Sequence, residues 1–119
     1  LLGAEAEQAL AICAEAAPDP ETGEREVVEV ANDNGGGQVV VSGAKAAVER
    51  AVEAAKAAGV KRAMLLPVSA PFHCALMSPA ADAMAEALEG AEVARPVVPV
   101  VANVSADKAT DPAEIRGLL

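Results

Sequence analysis

Glu26-Val27-Val28-Glu29-Val30-Ala31-Asn32-Asp33-Asn34-Gly35-Gly36-Gly37-Gln38-Val39-Val40-Val41-Ser42 is the stretch that decides the architecture. Two valine-rich runs, Glu26 to Val30 and Gln38 to Ser42, flank a connection ending in three glycines. β-Branched side chains favour a pleated backbone, and glycine supplies the positive φ that a tight connection needs, so the segment reads as two neighbouring strands. The triple glycine lacks the Gly-Lys-Ser/Thr ending of a phosphate-binding loop and precedes a strand rather than a helix. It therefore reads as a hairpin device.

Upstream, Ala6, Ala9, Leu10, Cys13 and Ala17 recur at helical spacing within Glu5 to Ala17, and Pro18-Asp19-Pro20 stops that helix. Pro18 to Glu24 is a surface loop. Downstream, Ser42 is placed to cap a helix from Gly43 to Ala58, with Ala44, Val48, Ala51, Val52 and Ala55 on one stripe and Gly59 as its C′ residue. Val60 to Leu66 reads as the next strand. Helix, strand, strand, helix, strand needs one preceding strand, cut off ahead of Leu1 or surviving as its last residues, to make βαββαβ. That is the ferredoxin-like unit, so the fold class is α/β.

Past Leu66, two prolines make Pro67 to Met77 an ordered loop. Ser78 then caps a helix that Pro79 starts and that runs to Glu89, with Ala80, Ala81, Met84, Ala87 and Leu88 on its apolar side and Gly90 beyond. Val97 to Val101 is a strand interrupted by Pro99. At the far end Asp111, Pro112 and Glu114 form a helix start, with Ile115, Leu118 and Leu119 on one face. A chain opening at Leu1 and stopping as a helix begins reads as a segment of a longer protein.

The 119 residues amount to one domain's worth of chain. Of these, 30 are alanine and only 33 are larger apolar residues, so valine and leucine are expected to build the core. Eighteen acidic against nine basic side chains give a net charge of −9, and one phenylalanine is the only aromatic. Such a surface repels phosphate and offers no stacking platform, which argues against nucleic acid. No apolar run approaches the ~18 residues of a membrane span, and no leader peptide opens the chain, giving a soluble, cytoplasmic reading. Cys13 and Cys74 fit neither a metal-site spacing nor a disulfide framework and are read as reduced.

The only histidine, His73, follows the only aromatic residue, Phe72, in the proline loop. Imidazole is the side chain best matched to take and return a proton near neutral pH, so His73 is the candidate general base. A nucleophile is missing. None of Ser42, Ser69, Ser78 and Ser105 lies in G-x-S-x-G, and Cys74 reads as a small hydrophobe.

Val30-Ala31-Asn32, Asn34, Gly37-Gln38-Val39-Val40-Val41-Ser42-Gly43, then Lys61-Arg62-Ala63 to Leu66-Pro67-Val68-Ser69-Ala70-Pro71-Phe72-His73-Cys74-Ala75-Leu76-Met77, and later Pro99-Val100-Val101-Ala102-Asn103-Val104, carry a resemblance. The chain resembles the malonyl-CoA:acyl carrier protein transacylases of bacterial fatty acid synthesis, with the Ser-Ala-Pro-Phe-His block the most specific part. The resemblance implies residues 1–66 as a ferredoxin-like small subdomain, its first strand largely missing. Residues 67–119 would hold the catalytic-histidine loop and a partial return into a larger α/β-hydrolase-like subdomain.

It implies, too, a transfer of malonyl from malonyl-CoA to the phosphopantetheine thiol of acyl carrier protein through a malonyl-serine ester, with no cofactor. His73 would be the catalytic histidine. Phe72 would be a substrate contact that disfavours a 2-methyl branch, and Asn32 and Asn34 further contacts. The family's serine elbow, malonate-binding arginine and oxyanion-hole glutamine would precede Leu1, and a histidine-orienting glutamine would follow Leu119. Arg62 and Arg95 do not align with that arginine, so this segment alone is expected to be inactive. Asp33 stands in place of an aromatic and Gly35-Gly36 in place of Ser-Pro, which suggests a looser loop. Two other readings stay open: a stand-alone ferredoxin-like binding or regulatory module, and an acyltransferase domain of a polyketide synthase.

Overall fold

Valine and glycine do what their chemistry predicts in the hairpin of β1 (Val28–Asp33) and β2 (Val39–Gly43), which pair antiparallel with Val28 opposite Gly43 and Asp33 opposite Val39 in a computed structural model that describes all 119 residues. A bulge between Val30 and Asn32 leaves Ala31 without a partner. Gly35, Gly36 and Gly37 all take positive φ, at 73°, 60° and 75°. The connection is not loose. Asn34 N–H donates to the Gln38 carbonyl at 2.9 Å, Gln38 N–H to that of Gly35 at 3.1 Å, and Asp33 Oδ1 accepts the Gly35 N–H at 2.9 Å.

The chain divides into two compact units, Leu1–Pro79 and Ala80–Leu119. In the first, α1 (Ala6–Ala16) and α2 (Lys45–Ala57) pack on each other and on the hairpin. Leu1 and Val39 exchange N–H···O bonds of 2.8 and 3.0 Å. Leu2 and Arg62 do the same at 2.7 and 3.1 Å. Extended backbone therefore lies side by side in the order Arg62, Leu2, β2, β1, with antiparallel neighbours throughout. Val60 to Leu66, expected as a strand, reduces to the one bridge between Arg62 and Leu2.

Eight of the thirteen buried apolar residues are alanine, none is leucine, and Val39 is the only large side chain below 2% exposure, which corrects the expectation of a valine and leucine core. The cause is close helix approach: Cys13 and Ala16 of α1 and Ala47, Ala51 and Ala55 of α2 share one cluster, where a longer side chain would force the helices apart. Along α1 the buried residues are Ala9, Ile12, Cys13 and Ala16, whereas Leu10, assigned to the inner stripe by sequence, is 58% exposed. Burial, and after it the Glu29 carboxylate, pushes the Cys13 thiol above its ordinary range. Cys13 and Cys74 are both free thiols.

Ser42 does not cap α2. It is paired with Glu29 within β2, and the cap position falls to Ala44, whose carbonyl accepts the Val48 N–H at 2.9 Å. Arg50 fastens this unit from α2, donating Nε to the Ala16 carbonyl at 2.8 Å and Nη2 to Glu26 at 2.7 Å. Those bonds satisfy a carbonyl at the C-terminus of α1 and anchor the chain leading into β1. The loop after α1 turns on Asp19, whose Oδ1 accepts the N–H of Glu21 at 2.7 Å and of Thr22 at 3.2 Å, and those bonds hold its carboxyl below the usual range.

The boundary at Pro79 falls in the first turn of α3 (Ser78–Gly90), which buries no side chain and leaves Met84 58% exposed. Ser78 is the first residue of α3 rather than its cap, because a 3-10 turn runs directly into it, and Gly90 lies within the last turn. β3 (Val100–Ala102) starts just after Pro99, which has no N–H to give a ladder, and pairs antiparallel with β4 (Asp107–Ala109). β4 carries no strand signal in its sequence, since Asp107, Lys108 and Ala109 are all types depleted in strands. α4 (Pro112–Gly117) begins as its sequence predicts, Asp111 Oδ1 accepting the N–H of Ala113 at 2.9 Å and of Glu114 at 3.0 Å. No helix is long and apolar enough to cross a membrane.

Candidate active site

Two prolines shape the loop that carries His73. Val68 N–H donates to the Leu66 carbonyl at 2.9 Å and Phe72 N–H to that of Ala70 at 3.0 Å, so each bond spans one proline. These are three-residue turns, for which the fixed φ of proline is already suited. His73 then takes φ +60°, a left-handed backbone that costs a non-glycine residue about 1–2 kcal/mol. It reverses the chain. Cys74 Sγ closes the reversal on the Pro71 carbonyl at 3.2 Å. Cys74 itself is extended, and Ala75–Met77 winds into the 3-10 turn, Met77 N–H donating to the Cys74 carbonyl at 2.9 Å.

The turn leaves His73 exposed and Phe72 48% exposed at adjacent positions. No side chain of the chain hydrogen-bonds the imidazole, so both ring nitrogens are open to a partner. None of the four serines is that partner: Ser42 lies in β2, Ser69 in the loop, Ser78 at the start of α3, and Ser105 Oγ accepts the Asp107 N–H at 3.3 Å. Asn32 and Asn34 sit at the hairpin end and satisfy each other, Asn32 Nδ2 donating to Asn34 Oδ1 at 2.6 Å. No hydrogen bond joins that pair to His73.

One residue that sequence reasoning passed over does reach the loop. Glu29 Oε2, on β1, accepts the N–H of Ala75 at 3.0 Å, tying the hairpin to the residue that opens the 3-10 turn two positions after His73. Its only sequence signal is a carboxylate on the outer side of a strand whose valines alternate inward, which is the ordinary place for a solvated charge.

No protein-family model matches the chain. It is 54% identical over 99 residues to the malonyl CoA-acyl carrier protein transacylase of Salmonella typhimurium, a match covering 83% of this chain and 32% of that protein. To the protein of the same name from Bacillus subtilis it is 47% identical over 98 residues, or 82% of this chain and 31% of that one. Among solved structures, an acyl-carrier-protein S-malonyltransferase from Burkholderia pseudomallei superposes with a TM-score of 0.78 at 44% identity, covering 98% of this chain and 36% of that one. A malonyl-transacylase solved in complex with a type II PKS acyl-carrier protein gives 0.80 at 46% identity, covering 99% and 36%. The chain spans about a third of the length of the curated relatives it matches. Identity near one half across more than four fifths of the chain, with the same backbone, makes this chain homologous to one third of a malonyl CoA-acyl carrier protein transacylase.

Proposed function

We propose that this chain is the histidine-bearing segment of a malonyl-CoA:acyl carrier protein transacylase, with His73 as its general base. The observation that carries the reading is the 54% identity over 99 residues to a protein of that name. The exposed, unpaired imidazole on a reversed turn supports it. In the reaction, His73 takes the proton of a serine hydroxyl lying outside this chain as the oxygen attacks the malonyl thioester. The C–S bond breaks, the CoA thiolate recovers a proton from the imidazolium, and a malonyl-serine ester remains. The carrier protein's phosphopantetheine thiol then gives its proton to His73, attacks the ester and leaves with the malonyl group, and the serine is reprotonated.

We assign residues 1–66 to a ferredoxin-like subdomain, supported by the antiparallel order Arg62, Leu2, β2, β1 with both helices packed on the hairpin. Residues 67–119 are the histidine loop and part of a hydrolase-like subdomain. The exposed Met64, Leu65, Leu66 and Val68 are consistent with a surface that the remaining two thirds of such an enzyme would cover. The enzyme would work in the cytoplasm, where CoA thioesters and a reduced Cys74 are at home.

Incubation with labelled malonyl-CoA tests the reading. The full-length enzyme is expected to carry one malonyl-serine ester and this chain none; an ester on Ser42, Ser69, Ser78 or Ser105 overturns it. Phe72, half exposed beside His73, is the proposed wall against a 2-methyl branch. Phe72→Ala is expected to narrow the preference for malonyl-CoA over methylmalonyl-CoA by roughly 1–3 kcal/mol, measured as the ratio of kcat/KM values. An unchanged ratio removes Phe72 from the pocket.

A further inference from the structure

We propose that Glu29 is a positioning residue for His73, holding the downstream end of the catalytic turn through the Ala75 N–H. The inference rests on the reading of His73 as general base and adds to it the group that fixes where the imidazole stands.

The 3-10 turn Ala75–Met77 has no side-chain cap of its own, since Cys74 occupies the cap position without such a bond and directs its thiol to Pro71. No carboxylate lies between Val60 and Met77, so the sequence supplies no local acceptor of comparable strength for the first N–H of the turn. Glu29 brings one from 46 positions away, at 3.0 Å. A carboxylate acceptor roughly doubles the strength of such a bond, which matters for a backbone held at φ +60° that local bonding alone secures weakly. The carboxylate is delivered by a rigid element, because Glu29 is in register with Ser42 inside the hairpin. Upstream, the prolines fix the loop. Downstream, Glu29 does, and His73 stands between.

Glu29 bonds the backbone of the turn and not the imidazole, so its loss is expected to free the direction of the ring without removing a binding contact. In the full-length transacylase, Glu29→Ala is expected to lower kcat roughly 10–100-fold with KM within about twofold, the size of effect that misplacing a catalytic group by about 1 Å produces. Glu29→Gln keeps an acceptor oxygen and is expected to restore most of that loss. The donor side gives an independent variant. Ala75→Pro deletes the N–H itself at the first position of the turn, where proline is tolerated, and follows a Cys74 whose φ −141° and ψ 171° suit a residue before proline.

Ala75→Pro is expected to match Glu29→Ala in kcat, and the double variant to fall no further than either alone. Amide hydrogen exchange at Ala75 is expected to speed up in Glu29→Ala and to slow again in Glu29→Gln. Wild-type kcat in Glu29→Ala overturns the proposal. Additive losses in the double variant, or no recovery in Glu29→Gln, overturn it equally. If Glu29→Ala fails to fold, Ala75→Pro decides alone: wild-type kcat there is a refutation. His73→Ala in the same assay separates the two levels, because wild-type turnover in that variant sinks the general-base reading whatever Glu29 does.

Discussion

Replacing His73 with asparagine in the full-length transacylase is expected to lower malonyl transfer by roughly 10²–10⁴-fold, the range in which general acid–base catalysis contributes. The imidazole is exposed and no side chain of this segment hydrogen-bonds it, so the loss is expected to be chemical rather than structural. Asparagine is the better test than alanine. At φ +60° it tolerates the left-handed backbone more readily than other non-glycine residues, so the turn survives while the base disappears. Alanine would remove the base and relax the turn together. Substrate should still bind, which predicts a fall in kcat with KM little moved. Steady-state assays with malonyl-CoA and carrier protein check it, alongside a circular dichroism melt showing the fold intact. Transfer within about threefold of the parent enzyme would leave His73 without the role.

The parts of this outcome that sequence made legible are those where one residue type admits few conformations. Three consecutive glycines after a valine run have little use except a reversal, and Asp111-Pro112 has little use except a helix start; both elements formed there. Proline placed the histidine loop and set the start of β3. The errors came where tertiary contact chooses among residues that local pattern treats as equal. Leu10 and Ile12 are both apolar and two positions apart, and packing against α2 and the hairpin decides that Ile12 goes inward. Composition points to valine and leucine for the core, yet close approach of α1 and α2 makes alanine the principal core residue. Ser42 had the chemistry of a cap, and the strand ladder claimed it first.

The candidate site divides in the same way. The candidate base is legible because the chain has one imidazole, in a block specific enough to suggest a family. Its support is not. A hydrogen bond between a side chain on β1 and a backbone N–H 46 positions later leaves no periodicity and no motif, so nothing in the sequence singles out Glu29.

The hairpin that carries Glu29 depends in turn on a residue whose importance is steric. Gly43, the last residue of β2, lies opposite Val28 where the chain passes into α2, and the following Ala44 N–H donates to the Val27 carbonyl at 2.8 Å. A Cβ built on Gly43 would collide with the Val27 carbonyl oxygen and stand 2.7 Å from Val28 Cα. Both are backbone atoms of the paired segment, so no rotamer change can relieve the contact; the strands must part.

Valine would suit an isolated strand better than glycine by up to about 1 kcal/mol, yet Gly43→Val is expected to destabilise the Leu1–Pro79 unit by about 3 kcal/mol or more. For a unit of this size net stability is of order 0.05–0.15 kcal/mol per residue, so that loss removes much of what is available. It corresponds to a fall in Tm of roughly 10–20 °C. Gly35→Ala is the matched control. Nothing lies within 4 Å of its added Cβ, but φ is +73°, so it should show the conformational cost of about 1–2 kcal/mol without the collision. Thermal melts of the two variants beside the parent chain separate strain from clash. If Gly43→Val melts no lower than Gly35→Ala, the close approach of β2 to Val27 does not hold the hairpin. If it melts far lower, the same variant in the full-length enzyme should also lose kcat, because Glu29 leaves the histidine turn with the strand that carries it.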